Sequence, residues 1–330
     1  MPMKALLLDA PGPPETLRLG DVAIPQPGPG EVRVQVQAAG LNPADYKMMA
    51  NGVGSWHYPY IPGLDVAGVI DEVGEGVGGW EKGDAVCYHS NYTKPGGFAD
   101  FTITTTNTLV PIPKGLTAIE AAALPCAGIT AYQALIEKLN IQAGQTILVQ
   151  GGAGGVGGFA IQIAAKLGLE VITTASARNF EWVQSLGATW FIDYGTESTI
   201  ERIAQITNGN GVEAILDTVG RETSTEGLAM LTFSGGLACV ATLPDLETYR
   251  QSGKALSLHD INLGGAYRHG NQKAMDQLGS TSRRFAEFIN SKGINPMVGE
   301  VISLNQVPNA LTRLAERNIR GKIVAEINAC

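Results

Sequence analysis

Gly152, Gly154 and Gly157 fall in the order G-x-G-x-x-G, with Gly155 and Val156 between the second and third. The run follows an apolar, strand-like stretch, Thr146 to Gln150, and opens a helix-like one through Ala160, Ile163 and Ala164. In that context the first glycine allows a tight strand-to-helix turn. The second lets bare backbone approach a diphosphate, and the third lets helix pack close to strand. Amides at the start of such a helix have no acceptor within it and sit at the positive end of its dipole, which suits phosphate oxygens. The chemistry indicated is dinucleotide binding; the plain alternative is a glycine-rich turn that only joins two elements.

A second strand, Val171 to Ala175, ends at Ser176, about 24 residues beyond Gly152. A carboxylate there would hold the ribose 2′-hydroxyl of NAD. Here Ser176-Ala177-Arg178 offers a hydroxyl and a guanidinium, which suit a 2′-phosphate by charge-assisted hydrogen bonds. NADPH is therefore the expected cofactor, the alternative being that Arg178 is a solvated first-turn residue of the next helix.

These residues need a scaffold, and the chain has the makings of two cores. Its 330 residues exceed the usual single-domain length, and 44% are hydrophobic. No apolar run approaches the roughly 18 residues of a membrane span. Acidic residues outnumber basic ones, 31 to 23, for a net charge of −8, which opposes binding to nucleic acid or acidic lipid. The 42 glycines, nearly twice the usual ~7%, require many tight turns. Cys87, Cys126, Cys239 and Cys330 lie far apart, with neither a disulfide framework nor a zinc knuckle in their spacing. The N-terminal apolar run to Leu8 is too short for a secretory signal and reads as a first strand, so a cytoplasmic protein is expected.

From residue 1 to about 125 short strands alternate with Pro- and Gly-rich turns, as at Val32 to Gln37, Val66 to Val73, Asp84 to Tyr88 and Phe98 to Thr104. This predicts a β-rich barrel or sandwich without a helix of comparable strength. Thr117 and Glu120 then form a capping box that starts the helices. Between about 145 and 265, strands at Thr146–Gln150, Glu170–Thr174, Trp190–Asp193, Glu213–Asp217 and Leu237–Thr242 alternate with helical stretches, which predicts a doubly wound parallel sheet. After about 268 a helix through Phe285 and Ile289, a strand at Gly299–Leu304, a helix around Ala310–Glu316 and a strand at Lys322–Ile327 are expected to return to the first domain.

Taken together, Gly40-Leu41-Asn42-Pro43-Ala44-Asp45-Tyr46-Lys47, Pro62-Gly63-Leu64-Asp65-Val66-Ala67-Gly68, Gly128-Ile129-Thr130-Ala131-Tyr132 and the glycine loop resemble the zinc-free quinone oxidoreductase (zeta-crystallin-like) and enone reductase branch of the medium-chain dehydrogenase/reductase family. The resemblance implies an α/β fold in which a Rossmann sheet is inserted into a β-rich GroES-like barrel. Its expected boundaries are 1–125 and 268–330 for the barrel and 126–267 for the NADPH domain, with a shared cleft and a homodimer. It further implies cofactor contacts from Thr130, Tyr194, Val240, Ala241, Thr242 and Leu263, and places Asn42 to Lys47 near the nicotinamide. In zinc-type alcohol dehydrogenases, a similar sister branch, the metal ligands would fall at Asn42, Leu64 and Cys126. Only Cys126 of these can bind zinc, and three ligands are needed. His57 and Asp65 are the conceivable substitutes, and no metal is expected.

Hydride transfer needs no protein nucleophile, only an acceptor held about 3 to 3.5 Å from the reduced ring and stabilisation of the developing oxyanion. Lys47 is the first choice for that role, with Tyr46 and Asn42 as further donors; a solvated lysine beside a structural tyrosine is the alternative. Enoyl-thioester reductases of this family are similar here but carry a tyrosine where this chain has Asn51-Gly52-Val53-Gly54, and Tyr58 and Tyr60 are out of register. The leading expectation is an NADPH-dependent reductase of a quinone or α,β-unsaturated carbonyl compound. The alternatives are an enoyl-thioester or zinc-type alcohol dehydrogenase, or a crystallin-like NADPH-binding protein without turnover.

Overall fold

The computed structural model describes residues 2–316 and 319–328, so Met1 and Cys330 lie outside it, and the side chain of Arg221 is also outside the description. Two compact units emerge, Met1–Ile129 with Leu263–Cys330, and Thr130–Asn262.

Along the chain, the first unit opens with strands β1 (Met3–Leu7), β2 (Arg18–Val22), β3 (Glu31–Gly40), β4 (Asp65–Val73), β5 (Ala85–His89), β6 (Phe101–Thr105) and β7 (Val110–Pro111). The second unit holds β8 (Thr146–Gln150), β9 (Glu170–Thr174), β10 (Trp190–Ile192), β11 (Val212–Asp217), β12 (Leu231–Cys239) and β13 (Ser257–Asp260). Strands β14 (Val298–Ser303) and β15 (Lys322–Glu326) complete the first unit.

The alternation in β3 works as expected: Val32, Val34 and Val36 are fully buried against Val66, Ile70, Val86, Tyr88 and Leu109. One edge of β3 pairs antiparallel with β4, while the other is shared, its first half by β6 and its last residues by β15. That sharing folds the seven-stranded sheet, β14-β15-β3-β4-β5-β7 with β6 on β3, around its core. This is the β-rich, GroES-like element.

A helix interrupts this region where the sequence predicts none. Helix α1, Pro43–Asn51, buries only Asp45 and Met49 of its nine residues, so hydrophobic periodicity is nearly silent. Capping starts it instead: the Asp45 carboxylate accepts the Asn42 amide at 2.8 Å, and Pro43 occupies the first helical position, where no N–H is needed. The predicted box at Thr117 is present, with Thr117 N–H donating to Glu120 at 2.8 Å at the start of α2, Ala118–Ala122. Beyond it the helical path is uneven: π-turns at Pro125–Ile129 and Gln133–Lys138 flank the short α3, Thr130–Tyr132.

The second unit is a six-stranded parallel sheet in the order β10-β9-β8-β11-β12-β13. Strand order reverses at β8, from which β9 and β10 run to one side and β11 to β13 to the other, the arrangement of a doubly wound Rossmann sheet. Two details differ from expectation. Strand β12 begins at Leu231 rather than Leu237, with a register shift against β11 over its glycine-containing first half. Strand β13 is absent from the sequence reading because, as an edge strand with no fully buried residue, it lacks an apolar run. Helix α4, Gly155–Lys166, buries every residue from Gly157 to Ala164. Truncating its Phe159, fully buried, to Ala would cost about 3 to 5 kcal/mol.

Among the described residues no helix is long and apolar enough to cross a membrane. Cys87, Cys126 and Cys239 are unpaired thiols, and burial pushes Cys87 and Cys239 up to about 12 and Cys126 upward as well. None is a thiolate near neutral pH.

Candidate functional site

In the second unit, the carboxyl ends of β8 and β9 are tied together beneath the glycine loop. The Gly152 amide donates to the Thr174 carbonyl at 3.0 Å, and the Gly151 amide to the Thr174 hydroxyl at 3.0 Å. Gly151 has φ +82°, in the left-handed region that favours glycine. A Cβ on Gly152 would stand 2.0 Å from the Thr173 hydroxyl, and one on Gly157 would stand 2.3 Å from the Gly151 carbonyl oxygen. Gly154 is the opposite case: the nearest atom to its Cβ would be 3.7 Å away, so this glycine fronts open space. It also precedes α4 without a capping side chain, leaving the first-turn amides of Gly155, Val156 and Gly157 without intrahelical acceptors. Bare backbone, room and an uncapped helix start together fit a dinucleotide diphosphate.

Thr174 pairs with Ile192 across β9 and β10, so Ser176 and Tyr194, each two residues farther on, leave the sheet at the same end. Arg178 follows in a 3-10 turn, exposed, and Tyr194 is 64% exposed. The Ser176 hydroxyl accepts from Asn179 at 3.1 Å. Asp193, next to Tyr194 in sequence, turns its carboxylate onto the Gly195 amide at 3.1 Å. Val240, Ala241 and Thr242 follow the end of β12, and Thr130 opens α3, which packs on α4. Leu263 is separate: it is buried within the first unit.

The turn after β11 is a further part of this region that the sequence motifs above do not include. Asp217, fully buried, accepts from the Val219 amide at 2.8 Å and the Thr223 hydroxyl at 2.9 Å, while the Thr218 hydroxyl donates to the Gln150 carbonyl at 2.7 Å. Burial raises the Asp217 carboxyl above its usual range. The turn lies beside the glycine loop, since a Cβ on Gly151 would meet the Thr218 hydroxyl at 2.5 Å. An Asp-Thr-Val-Gly run closing an apolar strand was its available signal.

The first unit holds the other candidates. Tyr46 is half-buried and Lys47 exposed, side by side on α1. Asn42 is committed elsewhere: buried, it donates to Asp65 at 2.9 Å and accepts from the Lys322 ammonium at 2.5 Å. The Asp45 carboxylate, also buried, accepts the Asn42 and Leu64 amides, at 2.8 and 3.1 Å. Burial, reinforced by the charge of Asp65, pushes it up to about 7. Below it lies a small cavity bounded by Asp45, Met48, Trp56, Tyr60, Leu64 and Tyr92. Tyr60 stacks on Trp56 at 3.9 Å and gives its hydroxyl proton to backbone, with the Tyr92 carbonyl at 2.8 Å. His89 is buried against Tyr267, and desolvation lowers its pKa, so it is neutral.

A parallel sheet reversing at a glycine loop, in a chain whose flanking segments form a β-rich unit, has the parts of a dinucleotide-binding dehydrogenase or reductase. The comparisons agree. Residues 155–281 match the family model described as zinc-binding dehydrogenase, and residues 28–114 match the alcohol dehydrogenase GroES-like domain. The quinone oxidoreductase of Rattus norvegicus is 34% identical over 249 residues, covering 74% of this chain and 75% of that one. A zinc-type alcohol dehydrogenase-like protein of Schizosaccharomyces pombe is 30% identical, covering 95% and 96%. The structure of the quinone oxidoreductase from Coxiella burnetii superposes with a TM-score of 0.84 at 27% identity, covering 99% of this chain and 100% of that one. The chain belongs to the medium-chain dehydrogenase/reductase family, in its quinone oxidoreductase branch.

It is accordingly an oxidoreductase of the nicotinamide-using kind. Zinc, implied by one family model's description, does not fit the residues here. Leu64 has no donor atom, the Asn42 amide is engaged by Asp65 and Lys322, and the Cys126 thiol is held protonated by burial. Among the described residues no three His, Cys, Asp or Glu side chains converge as a metal would require.

Proposed function

We propose that this chain is an NADPH-dependent reductase that passes hydride to a quinone or an α,β-unsaturated carbonyl compound. The observation that supports the reading is the set of groups at the carboxyl ends of β9 and β10: Ser176 and Arg178 follow β9, after which NAD enzymes carry a ribose-binding carboxylate, and Tyr194 leaves the neighbouring β10 at the same end. A guanidinium and two hydroxyls favour a 2′-phosphate, which a carboxylate would repel. When bound, the reduced nicotinamide supplies the hydride. Gly154 to Gly157 hold the diphosphate through their amides. Thr130, Val240 to Thr242 and Leu263 are assigned to the nicotinamide half.

Lys47, with Tyr46 beside it, stabilises negative charge as it builds on the acceptor oxygen. Asn42 shapes α1 rather than touching the acceptor, because its amide is spent on Asp65 and Lys322. The branch assignment supports a quinone, and an enone presents the same electrophile: a carbon that takes hydride conjugated to an oxygen that takes charge.

The test mixes purified protein with NADPH or NADH and a panel of quinones, enals, enones, alcohols and acyl thioesters, following loss of reduced-nicotinamide absorbance. Preferred oxidation of NADPH with quinones or enones is expected. Faster oxidation of NADH refutes the cofactor choice, and binding of NADPH without turnover of any acceptor refutes the reductase.

A further inference from the structure

Asn42, Asp65, Cys126 and Lys322 are far apart in sequence and meet at one buried point of the first unit. The Lys322 ammonium, 3% exposed, contacts the Leu41 carbonyl at 3.1 Å, the Asn42 side-chain oxygen at 2.5 Å and the Asp65 carboxylate at 3.2 Å. Asp65 is fully buried and uses both oxygens, accepting from the Asn42 amide group at 2.9 Å on one and the Cys126 backbone amide at 2.7 Å on the other. One cation thus bridges strand β15, the start of α1 and, through Asp65, the π-turn at Pro125–Ile129.

Such a node is costly to bury and is a weak source of net stability. Replacing a buried ion pair with matched neutral groups is often harmless, whereas removing one partner is not. A fixed geometry is what it does supply. Asn42 is the N-cap of α1, and four and five residues farther on are Tyr46 and Lys47. Met49, fully buried, and the partly buried Met48 seat the helix on an apolar cluster that includes Trp56 and Leu311, and its first turn supplies the polar hold on its pose. A second carboxylate, Asp45, grips the same turn from the other side through the Asn42 and Leu64 amides.

We propose that Lys322 is a positioning residue for the reaction: its ammonium fixes Asn42 and Asp65, and through them the pose of α1 and of the Tyr46 and Lys47 groups it presents. The cation that organises this point is part of the chain. The proposal rests on the reading of Lys47 and Tyr46 as the groups facing the acceptor, and its test has an arm independent of that reading.

Three proteins are compared: wild type, Lys322→Met, and Asp65→Asn/Lys322→Met. The readouts are thermal midpoint, hydrogen–deuterium exchange of the amides from Asp45 to Asn51, NADPH affinity, and turnover of NADPH with 1,4-benzoquinone. In Lys322→Met, exchange across α1 is expected to quicken at least about tenfold while β8 and β9 are unchanged. Its kcat is expected to drop about tenfold to a hundredfold, with the NADPH dissociation constant within about threefold, since a small misplacement of a reacting group is expensive in rate. The double variant, whose node is neutral, is expected to regain the wild-type midpoint yet keep fast exchange and low kcat. If its exchange and kcat recover along with the midpoint, the node is merely structural and the proposal falls. Unchanged α1 exchange in either variant also overturns it. Should Lys322→Met fail to fold, the double variant decides alone. A wild type inert toward benzoquinone overturns the functional reading, and the exchange comparison still decides the positioning claim.

Discussion

The Asp45 carboxylate accepts the Leu64 backbone amide at 3.1 Å, tying α1 to the segment that enters β4. Burial raises that carboxyl from 3.8 to about 7, so the folded chain binds its proton more tightly than the unfolded chain does. The contribution to stability is present below the unfolded value and is lost as pH rises through the folded one, between about 4 and about 7, by an amount of order a few kcal/mol. Asp45→Asn cannot titrate. Urea midpoints measured across this window should show the wild type losing stability relative to the variant as pH rises; parallel curves would mean that Asp45 titrates normally.

Gly154→Ala and Gly157→Ala should separate binding from folding. The second puts a Cβ 2.3 Å from a backbone carbonyl, which must shift, and is expected to cost about 1 to 3 kcal/mol of stability. The first meets nothing closer than 3.7 Å, so its melting temperature should stay near wild type while NADPH binding weakens about tenfold or more. Isothermal titration beside a thermal melt distinguishes them, and equal losses on both measures in both variants would contradict the cradle.

Arg178→Ala should raise the Michaelis constant for NADPH by roughly 1.5 to 3 kcal/mol, about tenfold to a hundredfold, and leave that for NADH unchanged. Its exposure in the turn after β9 makes a folding defect an unsuitable explanation for such a split. Equal effects on the two nucleotides would remove the guanidinium from the 2′-phosphate.

Lys47→Met should lower kcat with a quinone by about tenfold to a hundredfold while the melting temperature holds, because the side chain is exposed. Asn42→Ala should behave differently, with a lower melting point first, because it leaves Asp65 and Lys322 short of a buried partner. A full-speed Lys47→Met enzyme would exclude the lysine from the chemistry.

The strands and helices with strong periodicity were legible in the sequence: β3 by its valine alternation, β8 and β9 by apolar runs bounded by glycine, and the helix at 117 by its capping box. What escaped shares one physical property, reliance on contacts between residues remote in sequence. Helix α1 buries only two of its nine residues, and the node that fixes its first turn is completed by Asp65 and Lys322, far away in sequence. Strand β13 is defined by pairing with β12, with no pattern of its own. Asn42 looks like a free donor until Lys322, 280 positions away, is placed on its oxygen. The turn after β11 carries Asp217, and its Asp-Thr-Val-Gly run marks a turn without showing that the acid is buried, which follows from the pairing of β11 with β8 and β12.

Strand β15 lies between β14 and β3, with Val324 to Glu326 pairing against Gly40 to Ala38. During translation, then, the ribosome has delivered every residue of the parallel sheet while the earlier-made half still lacks a central piece. The insert can mature first, and the amino-terminal strands must wait with an open edge until β14 and β15 emerge from the exit tunnel. Chaperone demand during synthesis should fall on that waiting edge, reversing the usual order in which the first-made part of a protein is the first to be finished.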